Sequence, residues 1–578
     1  MLRNKVLQLQ LLNGEHFVGR ERNMIRKPKG EVISSTTQLR HHWKLKRKFS
    51  LLFLSRNGNR KKRKIGKTRG VDKEVDTTDR TSELPEHILH HILSFIRCPK
   101  DVIRTSVLSK KWRSIWASFL TFDFDQKSFQ AQGGVQREKF KCFVENSLAS
   151  RLEPMLCIHK FRLYLTSFNL KLAPHMNRWI KAAISKDVKE LEVHLEVKGK
   201  RRYILPQEVL SAKTLTSLKL YGCKLDNSNV IKLPNLQELS IKKARVDVDM
   251  IQSFIRCCSL LEDLRLINCT GLRTLHVSTL HKLNRIEVHE CHGLKSVEIE
   301  LRNLRTFWFY GKITNSQCKI NLAGCENLRN LTLNDPFLTD ESFHNLIAKF
   351  PFLEQLVLTE CNKLERITIL SGKLKRLALV RCKKLEEANI DAPNLFSFEY
   401  TGDKVPFSSM NISCIREAKL HIESGRWVKS LILRDVQSFL GKCSHVEGLK
   451  SVVLSDKNVT VHEELGGIQF APSSDLKLEL IKSSLNLKDH VISLLRTCRP
   501  TTLSIISSPS SEFLKFIHEK IVEREKKPNC CRYYSRKCWL HYLQDVEIEI
   551  FEAAGLVPSP TMRTTTFRLK WASNEQRG

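Results

Sequence analysis

The chain has 578 residues and a formal net charge of +36, because 97 Lys and Arg residues face only 61 Asp and Glu residues. No run of eighteen apolar residues is present, and polar residues interrupt the apolar residues near the N-terminus, so we expect neither a membrane span nor a secretory signal. The sequence also lacks G-x-S-x-G, H-E-x-x-H and a phosphate-binding loop ending in Gly-Lys-Ser/Thr, which predicts a non-catalytic protein without a cofactor.

Residues 1–78 are predicted to form a disordered basic tail. Residues 1–70 contain 20 Lys and Arg residues against three glutamates, so nearly half of the net charge lies there. A run of five basic residues is typical of a nuclear-import signal; it comprises Arg60, Lys61, Lys62, Arg63 and Lys64. We therefore expect the protein in the nucleus, with the cytoplasm as a second location. An organellar transit peptide and a solvated tail that nothing recognises are the alternatives.

Residues 79–125 are predicted to form a small three-helix unit. Pro85 suits the first turn of a helix, and apolar residues then recur at three- and four-residue steps up to Ile96. Pro99 ends that helix, a short turn-rich helix follows, and Lys110–Phe119 again carries apolar residues at helical spacing. A unit of about forty residues is usually marginal without a partner, so we expect part of its apolar surface to contact another protein.

The order of these residues, from Leu84-Pro85 through ILHHILSF to IRTSVLSKKWR, resembles a plant-type F-box. The turn between the first two helices, Arg97–Asp101, is slightly longer than in the usual pattern of that family. The resemblance implies docking to the Skp-type linker protein of a cullin–RING ubiquitin ligase. The contact residues that it implies are Leu84, Pro85, Ile88, Ile92, Val107, Leu108, Ser109 and Trp112. Some of these are expected to serve the core of the unit as well.

Leucines organise the rest of the chain. After a helical linker and N-terminal cap over residues 126–185, the pattern L-x-x-L-x-L recurs along residues 186–505, and its clear copies start 21–25 residues apart. This period is typical of leucine-rich repeats, in which each copy is a short strand that buries its leucines only by stacking on its neighbours. The predicted fold class is α/β: a small F-box followed by a solenoid with a concave parallel β-sheet. Convex helices are expected at 250–258 and 337–350.

Residues between the strand leucines should face away from the core, because strand side chains alternate with period two. We expect a target protein to contact this concave face. The predicted contacts are Lys219, Tyr221, Arg265, Arg285, His289, Trp308, Tyr310, Gln355 and Arg376. Trp308 and Tyr310 are favoured, since exposed aromatic residues concentrate at binding hot spots. The alternative is a distorted repeat that buries Trp308 in the core.

Several cysteines have a structural explanation. Five of them lie three residues after the last apolar strand residue, where leucine-rich repeats place Asn or Cys inside a turn; they are Cys223, Cys269, Cys291, Cys361 and Cys382. Near the C-terminus, the set Cys530, Cys531, Cys538 and His541 lacks the paired spacing of a zinc site, so no metal is predicted. We interpret residues 506–578 as a C-terminal cap and tail. Trp539–Leu543 is predicted to be its final helix and Val546–Ile550 its closing strand.

Two functions are compatible with the sequence. The F-box resemblance favours a substrate adaptor of an SCF-type cullin–RING ubiquitin ligase, which recognises an unidentified protein substrate. The high positive charge leaves open a basic nuclear leucine-rich scaffold that binds nucleic acid or an acidic protein. Nucleic acid is the less expected partner, because no aromatic-flanked basic motif of an RNA-binding module is present. A leucine-rich-repeat pattern predicts a binding surface but does not identify the ligand of that surface.

Overall fold

A computed structural model describes residues 84–96, 99–128, 133–153, 155–166, 168–196, 202–225, 231–311, 318–412, 414–424, 449–456, 476–481, 491–492, 495, 500–507, 511–522, 539–552 and 563–571. All of them belong to one compact unit, Leu84–Val459 together with Ile468–Gly578. The predicted basic tail with its import signal, Arg60–Lys64, lies outside the described residues, and so do Cys530, Cys531 and Cys538.

Three short helices begin the described chain, as predicted. They are α1 (Glu86–Ser94), α2 (Pro99–Thr105) and α3 (Lys110–Ala117). Pro99 is the first residue of α2, where its missing N–H would be unpaired in any case. Ser109 caps α3, because its hydroxyl accepts a hydrogen bond from the Trp112 backbone amide at 3.2 Å. The buried apolar side chains of the three helices are Leu89, Leu93, Trp112 and Ile115.

One long sheet contains 18 strands of the described chain. In spatial order they are β1 (Thr121–Asp125), β2 (Lys160–Leu165), β3 (Glu190–Leu195), β5 (Ser217–Tyr221), β7 (Glu238–Lys242), β8 (Asp263–Ile267), β10 (Arg285–His289), β12 (Thr306–Tyr310), β14 (Asn330–Asn334), β15 (Gln355–Thr359), β17 (Arg376–Val380), β19 (Ser397–Gly402), β21 (Glu417–Ser424), β22 (Leu449–Asp456), β23 (Leu476–Ile481), β24 (Thr502–Ser507), β26 (Arg563–Trp571) and β25 (Leu543–Glu552). Neighbours pair in parallel from β1 to β24, which confirms the predicted solenoid sheet.

Short strands and helices form the other side of the repeats. The strands are β4 (Tyr203–Ile204) with β6 (Cys223–Lys224); β9 (Thr274–Val277), β11 (Ser296–Ile299) and β13 (Lys319–Asn321); and β16 (Arg366–Leu370), β18 (Glu387–Asp391) and β20 (Phe407–Asn411). The helices are α4 (Gly133–Arg151), α5 (Ala173–Ile184), α6 (Val248–Cys257), α7 (Asp340–Ile347) and α8 (Glu512–Ile521). Helices α6 and α7 confirm the two predicted convex helices. No helix in the described ranges is long and apolar enough to cross a membrane.

The sheet begins earlier than the sequence predicts. Strands β1 and β2, with the sequences TFDFD and KFRLYL, pair in parallel with each other, and β2 pairs with β3. Residues 126–185, predicted to be a helical linker and N-terminal cap, therefore contain a strand of the long sheet, β2, as well as helices α4 and α5. The leucine pattern missed these strands because phenylalanines, Phe122, Phe124 and Phe161, occupy core positions that later repeats fill with leucine.

Five of the turns that follow main strands are closed in a similar way. A residue with positive φ, such as Asn268 (53°) or Glu290 (48°), directly precedes a buried cysteine. The thiol of that cysteine then donates a hydrogen bond to a carbonyl oxygen of the preceding strand, at 3.4 Å from Cys269 to Ile241 and 3.4 Å from Cys291 to Leu266. Cys361 and Cys382 repeat the contact, and Cys223 is also buried. The structural interpretation of the five cysteines is thus confirmed.

The array ends in an antiparallel pair, since β24 pairs with β26 and β26 with β25. Strand β25 confirms the predicted closing strand. The predicted final helix is wrong: Trp539–Tyr542 is a single 3-10 turn, and Leu543 already begins β25 with its side chain buried. A short apolar run fits either a helix or a strand by periodicity, and here pairing with β26 decides for the strand.

Candidate functional site

Four of the eight predicted linker contacts lie on the surface of the F-box helices. Pro85 is exposed, and the exposed fraction is 36% for Ile88, 81% for Val107 and 49% for Leu108. Phe95, which is not among the predicted contacts, is 47% exposed. Val107 and Leu108 lie in the turn between α2 and α3. So many large apolar side chains on so small a unit are typical of a surface that a partner covers.

The other predicted contacts are less accessible. Leu84 and Ile92 are half-buried. Trp112 is fully buried in the core of the three helices, and its role as a contact stays a prediction. Ser109 is half-buried and caps α3. A unit this small needs its largest side chain to fill its own core, which is why a residue of the recognition motif is not on the surface.

A buried arginine joins the F-box helices to the first repeat. Arg151 ends α4 and is 5% exposed. Its guanidinium donates a hydrogen bond to the carbonyl oxygen of Phe119 and lies 5.1 Å from the ring centroid of Trp116 and 4.3 Å from that of Phe122. Burial lowers the pKa of Arg151 to about 10. No described carboxylate pairs with it, so the cation is held by a carbonyl and two aromatic rings.

The nine predicted target contacts all lie in strands of the long sheet, on the side that carries the residues alternating away from the core. We call this side the open face. Strand register arranges the nine residues in three rows. The first row contains Arg285, Gln355 and Arg376, the middle row Lys219, Arg265 and Trp308, and the third row Tyr221, His289 and Tyr310. Their role as contacts stays a prediction.

Three of the predicted cationic contacts are already paired within the protein. Lys219 lies 2.9 Å from Glu238, the Nε of Arg265 lies 2.9 Å from Asp263, and the Nε of Arg285 lies 2.7 Å from Glu287. Longer contacts, such as Arg265 to Glu238 at 3.6 Å, link these pairs into one network with three cations and three carboxylates.

Burial sets the electrostatics of this network. The side chain of Arg265 is only 13% exposed and that of Arg285 17%. Burial acts to raise the pKa of Glu238, but Lys219 and Arg265 outweigh it and lower that pKa below its ordinary value. Each carboxylate lies on the same strand as its partner or on a neighbouring one. These cations are therefore not free to attract an acidic target, contrary to what the basic composition suggested.

His289 is not an accessible contact. It is 2% exposed, its ring centroid lies 4.5 Å from that of Tyr310, and its Nε2 has no hydrogen-bond partner among the residues that the structure describes. Burial, together with repulsion from Lys242, Arg285 and Arg265, lowers its pKa to about 3. The imidazole is therefore neutral and covered in the free protein, and its role as a target contact stays a prediction. Alternation placed it on the correct face, but bulky neighbours on that face cover it.

Tyr221 belongs to an aromatic stack that spans three strands. The ring centroids of Tyr164 and His194 are 4.2 Å apart, and those of His194 and Tyr221 are 3.8 Å apart. The ammonium of Lys243 covers the Tyr221 ring at 5.0 Å. Burial lowers the pKa of His194 to about 4, which keeps this stack uncharged at its centre. The sequence indicates this stack, because three successive repeats each have an aromatic residue at the same strand position.

Trp308 lies on the open face and is half-buried. The guanidinium of Arg285 lies 4.2 Å from its ring centroid, while Phe307 and Phe309 point into the core. The alternative of a distorted repeat is therefore wrong.

Trp308 belongs to a region that we call the neutral patch, the open face of β12, β14, β15 and β17. Apart from Arg376, its side chains are uncharged and mostly small: Thr306, Trp308, Tyr310, Asn330, Thr332, Asn334, Gln355, Val357, Thr359, Ala378 and Val380. Depletion of charge beside aromatic residues is typical of the core of a protein–protein interface.

Both the F-box helices and the repeats match known protein families. The F-box domain profile matches residues 81–123, and the profile described as At1g61320/AtMIF1, LRR domain, matches residues 155–321 and 314–460. Together these matches cover more than half of the sequence. The chain belongs to the plant F-box/leucine-rich-repeat family.

Individual relatives of this F-box/leucine-rich-repeat protein come from Arabidopsis thaliana. FBD-associated F-box protein At4g10400 is 27% identical over 288 residues, which are 49% of this chain and 66% of the relative. F-box protein At4g09920 is 30% identical over 212 residues, 36% of this chain and 65% of the relative. F-box/LRR-repeat protein At3g58900 is 29% identical over 258 residues, 42% of this chain and 76% of the relative. The matched region thus spans a little under two thirds of the length of the first two relatives.

Proposed function

We propose that this protein is a non-catalytic substrate adaptor of an SCF-type cullin–RING ubiquitin ligase. Its F-box docks a Skp-type linker, and its repeats hold a target protein. The ubiquitin-transfer chemistry belongs to other subunits. The adaptor contributes proximity, because tethering converts a rare encounter into a nearly intramolecular one. Delivery to the nucleus by Arg60–Lys64 stays a prediction.

The observation that supports docking most directly is the exposed apolar surface of the F-box. Val107 and Leu108 are adjacent and exposed at 81% and 49%, and Pro85 and Ile88 are exposed on and before α1. No residue in the described part of the chain covers them. Complete burial of one such side chain by a partner stabilises a complex by about 1.5–3 kcal/mol.

The test is the affinity of the full chain for a Skp-type linker, measured by calorimetry. We expect Val107→Ala combined with Leu108→Ala to weaken binding about tenfold or more, because both side chains lose buried apolar area. The thermal midpoint should stay unchanged, since neither side chain is buried in the free protein.

The matched control combines Leu156→Ala with Leu370→Ala. These leucines are 93% and 73% exposed but lie on the repeats, so their replacement should leave linker affinity unchanged. Equal affinities for the two double variants, or no binding by the unmodified chain, would refute the docking surface. The nucleic-acid scaffold finds less support, because the cations at the centre of the open face are paired with carboxylates.

A further inference from the structure

The excess positive charge of the chain is not on the open face. Between β1 and His421 the charged side chains of that face are nearly balanced. The basic ones are Lys160, Arg162, Lys219, Lys242, Arg265, Arg285, Arg376 and Lys419, and the acidic ones are Asp123, Asp125, Glu190, Glu192, Glu238, Asp263, Glu287, Glu399 and Glu417. Cations that could attract an anion must therefore be sought at the edges of the repeats.

A groove lies at one edge, in the turns that lead into β8, β10, β12 and β14. Backbone hydrogen bonds fix its floor: the amide of Asn284 donates to Glu262 at 3.0 Å, that of Arg305 to Asn284 at 2.9 Å, and that of Arg329 to Arg305 at 2.9 Å. These residues are therefore stacked at the spacing of neighbouring strands, about 4.8 Å. We call this cleft, which Lys282 and Asn327 also line, the rim groove.

The rim groove has a net positive charge, because Lys282, Arg305 and Arg329 face only Glu262 within it. Arg329 pairs with Glu354 outside the groove at 3.0 Å. Lys282 and Arg305 are exposed and have no ion-pair partner within the described ranges. Arg305 and Arg329 are adjacent on the backbone ladder, and like charges on neighbouring strands repel.

Amide side chains complete the rim groove. Asn303 donates from Nδ2 to the carbonyl oxygen of His281 at 2.7 Å, which holds the turn in place. Asn284 and Asn327 line the groove, and among the described residues no side-chain hydrogen bond occupies their amides. The groove thus presents guanidinium, ammonium and amide donors together. This is the donor set that binds carboxylate and phosphate oxygens.

From this geometry we infer that the rim groove is an oxyanion-binding site, occupied by a phosphorylated or acidic side chain of the target protein. An oxyanion between Arg305, Arg329 and Lys282 removes their mutual repulsion and accepts hydrogen bonds from the free amides. The assignment of the oxyanion to a target rests on the proposed adaptor function. The existence of the site does not.

Three synthetic peptides test the site, identical except for phosphoserine, Glu or Ser at the centre of an otherwise uncharged sequence. Binding to the full chain is measured by calorimetry at low salt. We expect the phosphoserine peptide, the Glu peptide or both to bind, and the Ser peptide not to bind. Lys282→Ala combined with Arg305→Ala should weaken binding about tenfold or more, because charge-assisted hydrogen bonds are lost.

The matched control combines Arg273→Ala with Lys295→Ala. Both residues are exposed in the corresponding turns before β9 and β11, so the same charge is removed away from the groove. The affinity for the anionic peptides should then change by less than about twofold, because salt screens charges that lie far from the groove. Equal losses in the two double variants, or no binding of either anionic peptide, would overturn the proposal. Linker affinity measured on the same preparations separates this result from a failure of the adaptor function.

Discussion

Lowering the pH should destabilise the repeat that contains β10, because His289 would have to become charged in a buried site. Lys242, Arg265 and Arg285 surround the imidazole, and Glu287 on its own strand is engaged by Arg285. In the folded protein the pKa of His289 is about 3, compared with 6.5 for an ordinary histidine. Between these values the unfolded chain binds more protons than the folded chain, so the free energy of unfolding falls as the pH falls.

The loss of unfolding free energy depends on how far the pH falls below the pKa of the unfolded histidine. A pH of 5 lies about 1.5 units below the pKa of a histidine in the unfolded chain, so that histidine is mostly protonated. Folded His289 is still neutral at this pH. One pKa unit corresponds to about 1.4 kcal/mol, so His289 alone should lower the free energy of unfolding by about 2 kcal/mol between pH 7.5 and pH 5. His194, whose pKa burial lowers to about 4, changes stability in the same direction.

Chemical denaturation at pH 7.5 and pH 5 measures this loss. His289→Phe keeps a ring beside Tyr310 but cannot bind a proton, so the loss between the two pH values should be about 2 kcal/mol smaller in this variant. His281→Phe, at an exposed position, is the matched control and should behave like the unmodified protein. If His289→Phe loses as much stability on acidification as the unmodified chain does, the buried neutral imidazole is not the cause.

Two further predictions concern the open face and the F-box joint. Trp308→Ala should lower target binding and cost clearly less stability than Phe307→Ala. Phe307 is fully buried, and large core truncations cost about 3–5 kcal/mol. The thermal midpoints of the two variants measure this difference, and equal drops in the midpoint would contradict it. Arg151→Ala should destabilise the joint between the F-box and the first repeat by about 2–4 kcal/mol, whereas Arg151→Met, which fills the space without a buried charge, should recover most of that loss in a urea titration. Equal losses for the two replacements would show that volume at this joint is unimportant.

The amino-acid sequence by itself determined the repeating architecture. Leucines at period two within strands and at intervals of 21–25 residues along the chain permit only one arrangement that buries them, a stack of strands. The turn cysteines follow from the same register. The F-box helices were predictable because Pro85 suits a first helical turn, apolar residues recur at helical steps after it, and Pro99 cannot continue that helix. That Pro99 begins the second helix is known only from the structure.

Tertiary structure decided which predicted residues are accessible and which charges are free. Lys219 is paired with Glu238 and Arg265 with Asp263 only because strand register brings these side chains together. Trp112 and His289 fit surface patterns in the sequence, but packing buries them. Periodicity reports which face of an element a side chain occupies. Its exposure and its charge state depend on neighbours that are distant in the sequence, and only the folded chain specifies those neighbours.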